Sequence, residues 1–451
     1  HKPIYKVNSS ANLTGGIMEF MLDIKLIREN PELVKEAAKN KNVEVNIDRL
    51  MNIDGEVLKL KQELDVLRAR RNQNADGMKG AKPSEDQIKL GKELKEETTE
   101  LEVKLKPLED EWQELMYKVP NIPEPEVPVG KSEEDNVAKE HFGQKPEFKF
   151  KPKNHWEIAQ AKGWIDKERA AKVSGARFAY VKGDLARLHW AMIMFGMDSL
   201  TNPKVIEEII DEAKLDVSKN VFELVMPPVV IKTEAFMKAA RLNKEEQTYK
   251  IEDEESWLGA SAEHSVCNMH MDEVLNEEEL PKRYLAYSTS FRKEAGTYGK
   301  DAEGIFRLHQ FDKLEMESFT TLENGKQEHL FLVEVQKWLM SKLGIPFRIL
   351  EKCTADIGTP NAKGVDLDSW LPGQDKYRET HTADYMRDFQ TRRLNTKVKL
   401  NSGKVELAAT NDATAFSQRP LIAIIENYQT EDGDVIIPEA LRGYMGGREV
   451  I

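Results

Sequence analysis

The chain has 451 residues, of which 40% are hydrophobic and 32% charged, so it is long enough for two or three domains and apolar enough to fold. The formal net charge of -13 excludes a protein that coats nucleic acid through its whole surface, and any RNA contact must use a local basic patch. Cys267 and Cys353 are the only cysteines and no apolar run reaches the roughly 18 residues of a membrane span, which excludes a disulfide framework and predicts a cytoplasmic protein without a membrane segment.

The N-terminal part divides into an extension and a helical hairpin. Residues 1–20 begin with His, lack an apolar signal core and contain no Arg, so we interpret them as a leader, tag or upstream extension. In the next predicted domain, residues 21–119, apolar residues recur at heptad spacing in two separate stretches. The recurring residues are Leu50, Ile53, Val57, Leu60, Leu64 and Leu67 in the first stretch, and Leu94, Thr98, Leu101, Leu105, Leu108, Trp112, Leu115 and Val119 in the second. Two long helices joined by a glycine-containing turn predict an antiparallel coiled-coil arm over about residues 47–119.

Basic residues are concentrated where the two predicted helices meet. They are Arg68, Arg70, Arg71, Lys79 and Lys82, against the single acidic residue Asp76. A positive patch at the end of an arm that projects into solvent suits the phosphates of an RNA. An ordinary solvated coiled-coil surface is the alternative that the charge pattern leaves open.

Residues 120–154 separate the arm from the rest of the chain. Four prolines between Val119 and Lys131 end the helical pattern and predict a stiff, extended linker. From residue 155 to residue 451, helical stretches alternate with strand-like runs. This mixture predicts an α+β domain with a mainly antiparallel sheet flanked by helices.

Residues 284–319 carry the strongest chemical pattern, because two strand-like runs flank a glycine-rich loop and predict a hairpin. The second run has apolar Phe306, Leu308, Leu314 and Met316 at even positions, and Arg307, His309, Phe311, Lys313, Glu315 and Glu317 at odd positions. In the first run Arg292 and Glu294 share a face with the small residues Ser288 and Ser290. Arginine guanidinium groups bind phosphates through paired hydrogen bonds, and aromatic rings stack on bases. Carboxylates bind amines or metals. This face therefore suits a nucleoside triphosphate. A solvated amphipathic strand would show the same alternation.

Residues 291–315 read FRKEAGTYGKDAEGIFRLHQFDKLE and resemble motif 2 of the seryl-tRNA synthetases, a family of class II aminoacyl-tRNA synthetases. Similarity to this family extends over roughly residues 21–451. It includes MLDIKLIRENP at 21–31, AAKVSGARF at 170–178, YRE at 377–379, DFQTRRL at 388–394 and IIENY at 424–428. The resemblance implies a class II catalytic domain over residues 155–451 that uses ATP and Mg²⁺.

The family resemblance also implies roles for residues of the ATP site. Arg292 corresponds to the arginine that holds the α-phosphate and later the adenylate, and Arg307 and Arg419 to arginines that bind the outer phosphates. These three arginines are the expected catalytic groups. Phe311 would lie against the adenine, and Glu294 would belong to the same ATP site.

Two further positions are implied to hold Mg²⁺, namely Glu379, which also belongs to the expected ATP site, and Thr382. Attack of a carboxylate on the α-phosphorus needs charge neutralisation and in-line positioning more than it needs a general base. Arg419 precedes an apolar run that predicts a buried helix with Ser417 as its N-cap, and the positive end of a helix suits phosphate.

Serine recognition is implied for a further set of residues. They are Ser261, Glu263, Arg292, Glu315, Asn411 and Thr414. Relatives carry Asn and, two residues later, Ser or Thr at fixed distances before the arginine that matches Arg419. Asn411 matches that pattern, but the second position is Ala413 and the hydroxyl has moved to Thr414. A one-residue shift or a bulge would bring Thr414 inward.

A member of this family activates L-serine with ATP and transfers it to the 3′ end of tRNA(Ser), with tRNA(Sec) as a further expected partner. The family also forms homodimers through the catalytic domain, and residues 226–229 resemble its motif 1 interface. Three alternatives stay open: charging of a carrier protein, a catalytically altered paralogue that binds RNA as a regulator, and a coiled coil that serves as a dimerisation rod.

Overall fold

The computed structural model describes residues 22–79, 84–242, 247–294 and 304–451. The predicted extension, Lys82 at the predicted tip of the arm, and residues 295–303 of the glycine-rich loop lie outside these ranges. Among the described residues, none of the helices combines the length and the apolar character needed to cross a membrane.

The N-terminal part is helical. Its helices are α1 (Ile24–Glu29), α2 (Pro31–Asn40), α3 (Ile47–Asp76) and α4 (Glu85–Lys118). The Asn46 side chain caps α3, and Ser84 forms a capping box with Gln87 at the start of α4. Both long helices therefore begin where side chains satisfy backbone N–H groups that have no partner inside the helix.

The helices α3 and α4 run antiparallel and pack through their heptad residues. Arg49 near the start of α3 donates to Glu111 near the end of α4 at 2.7 Å, whereas Asn74 near the end of α3 bonds to the backbone of Gln87 at 3.0 Å. The buried residues of this contact are Ile53, Val57, Leu64 and Leu105. The predicted coiled-coil arm is confirmed.

The rest of the chain is built on an eight-stranded sheet. In sheet order its strands are β1 (Val137–Phe142), β10 (Phe347–Glu351), β11 (Lys363–Leu371), β12 (Lys376–Arg387), β15 (Ala409–Ser417), β9 (Gln310–Thr320), β8 (Lys282–Phe291) and β4 (Glu223–Val225). Each neighbouring pair is antiparallel except β4 with β8. The predicted α+β fold with a mainly antiparallel sheet is confirmed.

Helices cover one face of this sheet. They are α7 (Gly183–Leu200), α11 (Gly325–Lys342) and α13 (Gln418–Asn427), with α8 (Pro203–Ala213) packed outside them. Leu314, Met316, Leu367 and Ala413 point from the strands into the core that these helices complete. Burial of this continuous apolar surface is the main stabilising contribution, and it leaves the opposite sheet face available for chemistry.

Smaller elements complete the chain. They are the helices α5 (His155–Ala161), α6 (Lys167–Ser174), α9 (Thr233–Lys238), α10 (Glu263–Val266), α12 (Phe389–Leu394) and α14 (Glu439–Arg442), and the strands β2 (Ile165–Asp166), β3 (Tyr180–Val181), β5 (Val230–Lys232), β6 (Ser256–Leu258), β7 (Val274–Asn276), β13 (Lys397–Lys399) and β14 (Val405–Leu407). The helix α10 contacts β8 and β9, α12 contacts β12 and β15, and α9 packs against α12.

The segment predicted as a linker is more structured than its proline content indicates. Strand β1 lies inside it and forms the edge of the large sheet beside β10. Upstream, Asn121 and Glu124 donate backbone hydrogen bonds to Thr359 and Ala362 at 2.9 and 2.8 Å. The segment therefore bonds to residues 359 and 362 near its start and contributes β1 to the edge of the large sheet.

The root of the arm packs directly on the part of the chain that carries the large sheet. Its buried apolar residues are Leu22, Ile27, Val34, Ile47, Leu50, Met116 and Val119, in one cluster with Ala240, Met386 and Phe389. Beside them Nζ of the buried Lys41 lies 2.9, 3.2 and 2.5 Å from the carbonyl oxygens of Gly358, Thr359 and Asn361. Apolar burial and the hydrogen bonds of this buried lysine together hold the arm at this place.

Candidate active site

Strands β8 and β9 present one apolar face and one polar face. Opposite pairs on the polar face are Ser290 with Phe311, Ser288 with Lys313 and Ala286 with Glu315. Leu314 and Met316 point the other way into the core, so the predicted alternation is confirmed over this part of the hairpin. The strand itself begins at Gln310, and Arg307 and His309 lie in the turn before it instead of on the predicted strand.

Arg292 lies one residue beyond β8 and is fixed by its backbone and its side chain. Its N–H donates to the carbonyl of His309 at 2.9 Å, and His309 Nδ1 donates back to the Arg292 carbonyl at 2.8 Å. The guanidinium Nε donates to the Ala260 carbonyl at 3.1 Å, and its central carbon lies 5.2 Å from the centre of the Phe311 ring. Burial lowers the pKa of Arg292, and the Arg419 guanidinium lowers it further, so an anion between these two cations would be stabilised.

Arg307 is paired with an acidic neighbour. Its NH1 atom donates to Oε2 of Glu294 at 3.0 Å. Glu294 has a φ of 50°, in the left-handed region, and its carbonyl accepts a hydrogen bond from Arg177 at 3.0 Å. The chain therefore turns away at Glu294, so the strand face predicted for Glu294 ends before that residue.

Arg419 lies in the first turn of α13, where the Ser417 hydroxyl accepts its backbone N–H at 3.3 Å, as the sequence predicts. Its NH1 atom donates to Oε1 of Glu379 at 2.7 Å. The Phe306 ring lies beneath two guanidinium groups, 4.8 Å from that of Arg419 and 3.8 Å from that of Arg378. Cations of this kind at the positive end of a helix suit phosphate groups.

A β-bulge places Glu379 and Thr382 on the same face of β12. On β11, Asp366 lies opposite Thr382 and Asp368 lies opposite Glu379. Two residues of β11 therefore span three residues of β12, because the register shifts between Leu367 and Asp368. Residues three apart would otherwise point to opposite faces of a strand. A carboxylate and a hydroxyl on one face are oxygen ligands of the kind Mg²⁺ prefers, so the residues fit that ion.

Glu315 lies at the centre of the polar face and is fully buried. The Lys313 ammonium lies 2.5 Å from Oε2 of Glu315 and donates to the Ser261 hydroxyl at 3.3 Å. Burial raises the pKa of Glu315 to about 6, and Lys313 opposes that rise. The three groups form a small polar site suited to an amine and a hydroxyl.

A second ion cluster, which sequence reasoning missed in part, lies beside this site. Arg241, after α9, pairs with Glu263 of α10 and donates to Oδ1 of Asp412 on β15 at 3.1 Å. Glu317 lies opposite Asp412, and burial raises the pKa of both carboxyl groups well above the usual range. Arg241 and Asp412 carry no sequence signal of their own, since they are 171 residues apart in the chain.

Asn411 and Ala413 lie on one face of β15, and Thr414 lies on the other. Asn411 and Ala413 point toward the covered side, where Asn411 donates to Ser318 at 3.5 Å and Ala413 belongs to the core. Thr414 lies opposite Glu315 on the polar face, and the register shifts just after it. In this strand register Asn411 lies opposite Ser318 and Thr414 opposite Glu315, and the serine-binding role of Asn411 stays a prediction.

The two histidines near Ser261 have structural partners. His264 Nδ1 accepts the Ala260 backbone N–H at 3.2 Å. His270 lies 2.7 Å from both Glu273 and the Tyr284 hydroxyl. Across the described ranges, no group of three or more His, Cys, Asp or Glu side chains is arranged to hold a metal ion.

The predicted RNA-binding residues that the structure describes lie toward the end of α3 and just after it. Arg70 and Arg71 are exposed on α3. Arg68 pairs with Glu102 at 3.0 Å, and Lys79 pairs with Asp76 at 2.6 Å. The described part of the patch therefore keeps two exposed arginines, beside two cations already paired with carboxylates.

Comparisons with known proteins match most of the chain. Residues 21–123 match the family model of the seryl-tRNA synthetase N-terminal domain, and residues 248–428 match that of the tRNA synthetase class II core domain (G, H, P, S and T). The chain is 39% identical to the serine–tRNA ligase of Thermodesulfovibrio yellowstonii over 94% of its length and 99% of the relative, and 37% identical to that of Deinococcus radiodurans over 96% and 99%. Among solved structures it is similar to seryl-tRNA synthetase from Pyrococcus horikoshii complexed with ATP, with a TM-score of 0.84, 34% identity and coverage of 95% and 99%. It is also similar to cytoplasmic serine–tRNA ligase from Naegleria fowleri in complex with AMP, with a TM-score of 0.80, 28% identity and coverage of 95% and 98%.

Proposed function

This chain belongs to the seryl-tRNA synthetase family, and from that premise we propose that its polar sheet face is the site where ATP and L-serine react and where serine is passed to tRNA. The chain is an ATP-dependent aminoacyl-tRNA ligase. The observation that carries the site assignment is the convergence of Arg292, Arg419, Glu379 and Glu315 on one face, beside the buried Lys313.

In the first reaction the carboxylate of serine attacks the α-phosphorus of ATP and pyrophosphate leaves. Arg292 stabilises the negative charge that develops on the α-phosphate, because its guanidinium is fixed by the Ala260 carbonyl and needs little reorganisation. Arg419 and Arg307 bind the outer phosphates, exchanging their carboxylate partners Glu379 and Glu294 for phosphate oxygens. Phe311 supplies an aromatic face for the adenine.

In the second reaction a ribose hydroxyl at the 3′ end of tRNA attacks the carbonyl carbon of seryl-adenylate and AMP leaves. No protein nucleophile is required for either step. The site positions the two substrates and stabilises the negative charge that develops between them. These are the main requirements of phosphoryl and acyl transfer.

Glu379 and Thr382 would hold Mg²⁺. When bound there, the ion would supply positive charge that neutralises phosphate oxygens. The assignment is supported by the bulge that turns both side chains to one face and by the position of Glu379 beside Arg419. Burial raises the pKa of Asp366, which lies opposite Thr382, so its carboxyl group ionises less readily than that of Glu379.

Serine is proposed to lie between Glu315 and the cluster of Ser261, Glu263 and Thr414. Its ammonium group would be held by carboxylate and hydroxyl oxygens, and its hydroxyl by Glu315 and Thr414. A buried polar partner rejects a ligand without a hydroxyl, because that partner would otherwise stay unpaired. We therefore expect this arrangement to discriminate against alanine.

The arm is proposed to bind tRNA(Ser), and tRNA(Sec) as a second substrate, through Arg68, Arg70, Arg71, Lys79 and Lys82. Support comes from the exposed Arg70 and Arg71 at the end of an arm on a protein with a net charge of -13. The relatives are serine–tRNA ligases, which argues against the carrier-protein and silent-regulator alternatives.

A homodimer through the catalytic domain is proposed because apolar side chains are exposed around β4 and β5. Met226 is 84% exposed, and Leu224 and Val230 are each 48% exposed. Apolar patches of this kind mark interfaces between subunits. A cytoplasmic, reducing location is proposed because both cysteines are buried free thiols.

The test of the proposed function is amino-acid-dependent exchange of pyrophosphate into ATP. The wild-type chain should exchange with serine and not with alanine, glycine or threonine. Arg292→Ala should abolish the exchange, whereas Arg348→Ala, which removes an arginine paired with Asp368 at 2.8 Å elsewhere on the sheet, should retain it. Equal loss in both variants, or exchange with several amino acids, would contradict the proposal.

A further inference from the structure

Helix α12 lies between the root of the arm and the amino-acid site, and one of its side chains reaches Glu263. Gln390 is fully buried. Its Nε2 atom donates to Oε1 of Glu263 at 3.2 Å and to the Ala239 carbonyl at 3.1 Å, while its Oε1 accepts from the Thr410 hydroxyl at 2.8 Å. The amide is held at both ends, so its orientation is set by three partners.

A second side chain of α12 holds the segment that leads to Arg241. NH1 of Arg393 donates to the Met237 carbonyl at 2.8 Å. The Met237 carbonyl also accepts the Ala240 backbone N–H at 2.9 Å, and Gln390 binds the Ala239 carbonyl, so α12 is bonded to two carbonyls at the end of α9. Arg241 follows immediately and pairs with Glu263. Both groups that hold Glu263 are therefore positioned through α12.

The other side of α12 is attached to the arm. The guanidinium of Arg393 lies 3.9 Å from the centre of the Tyr117 ring of α4. Phe389, next to Gln390, is fully buried in the apolar cluster that also contains Ile27 and Met116 of the arm root. The same short helix thus contacts the arm through Phe389 and Arg393, and the amino-acid site through Gln390.

We propose that Gln390 and Arg393 are positioning residues for serine activation, which hold Glu263 and Arg241 in place and connect them to the root of the arm. This inference rests on the proposed function, since it takes Glu263 as part of the serine site. Displacement of α12 would move the Glu263 carboxylate relative to Glu315 and Thr414. The serine site would therefore be altered by changes in the arm root that touch no substrate.

The first experiment measures the KM values for serine and ATP in pyrophosphate exchange. Gln390→Met keeps the volume of the side chain but removes the donor to Glu263, so the KM for serine should rise about tenfold, as expected for loss of a hydrogen bond to a charged group. The KM for ATP should stay within about twofold. Thr410→Val is the graded control, since it removes only the hydroxyl that orients the Gln390 amide and should have a smaller effect on serine.

The second experiment changes the arm side. Tyr117→Leu should raise the KM for serine about threefold without changing that for ATP, because it removes the cation–π contact to Arg393. Arg49→Ala is the matched control, since it breaks a pair between α3 and α4 that does not involve α12. The Tyr117→Leu and Gln390→Met double variant should show less than the product of the two single effects, because both act through α12.

The outcomes separate this inference from the proposed function. A wild-type chain without serine-dependent exchange would overturn the proposed function. Normal wild-type exchange with an unchanged KM for serine in both Gln390→Met and Tyr117→Leu would overturn the positioning role alone. Equal increases in the KM values for serine and ATP, accompanied by a lower Tm, would overturn it in favour of a purely structural role.

Discussion

Thr414 lies directly opposite Glu315 in the pairing of β15 with β9, and Ala413 lies opposite Met316 on the covered side. Counted back from Arg419, the family pattern places a hydroxyl at position 413, whereas this chain has it at Thr414. The Thr414 hydroxyl therefore lies on the polar face. The register shift that follows Thr414 restores the positions of Ser417 and Arg419 at the start of α13. A local change in strand register keeps a hydroxyl beside Glu315 although the sequence position has changed.

Thr414→Val should lower kcat/KM for serine in pyrophosphate exchange about tenfold, because a hydrogen bond between the serine side chain and a buried hydroxyl is lost. Ala413→Ser is the matched control and should leave kcat/KM within about twofold, since its hydroxyl would point into the core. The reverse result would show that position 413 faces the substrate in solution.

The pH profile of kcat/KM for serine should have an acidic limb near pH 6. Burial raises the pKa of Glu315 to about 6, and serine binding uses the carboxylate form, so activity is present above that pH and falls as the group is protonated below it. Lys313→Met should move the midpoint upward, because Lys313 opposes the rise in this pKa. A midpoint that stays in place would remove Glu315 from the acidic limb.

Glu379→Gln should shift the Mg²⁺ dependence of exchange to higher Mg²⁺ concentration, since a neutral amide is a weaker ligand than a carboxylate. The change is measured by Mg²⁺ titration at saturating ATP. Asp368→Asn is the control, because Asp368 lies opposite Glu379 but is paired with Arg348. Equal shifts in both variants would indicate a general loss of negative charge instead of a lost ligand.

Replacement of both Arg70 and Arg71 by Ala should raise the KM for tRNA in aminoacylation and reduce its salt dependence by about two phosphate contacts. Serine-dependent exchange should not change, because the arm end is remote from the site. Lys204→Ala with Lys214→Ala removes two exposed cations from around α8 and should leave tRNA charging unaltered. Equivalent losses in the two double variants would argue for non-specific attraction.

Stability should depend on pH through Lys41. Burial lowers the pKa of Lys41 from 10.5 in the unfolded chain to about 7 in the folded state. Between these values the unfolded state binds more protons, so the free energy of unfolding rises with pH by up to about 1.4 kcal/mol per pH unit from this residue. Urea unfolding between pH 7 and 9 should show a shallower rise for Lys41→Met than for wild type or for Lys39→Met at an exposed position. Identical slopes would contradict the prediction.

The sequence predicted most of the architecture from local patterns. Heptad spacing predicted the arm, because the period of apolar side chains is a local property of a helix. Alternation in residues 310–317 likewise predicted which side chains of β9 face the site. The same reasoning extended the strand too far, to Arg307 and His309, since it could not locate the turn before Gln310.

The family resemblance supplied the expected roles of Arg292, Glu315, Glu379, Thr382 and Arg419, and Arg292, Glu315 and Glu379 lie in short stretches whose residues match the family. Only the tertiary structure decided which neighbours surround them. Bulges in β12 and β15 set the faces of Thr382 and Thr414, and a bulge depends on the partner strand. Arg241 pairs with Glu263 and Asp412, and α12 packs against the arm. Both contacts join segments that are distant in the chain. They form when the core packs, so no local sequence pattern predicts them.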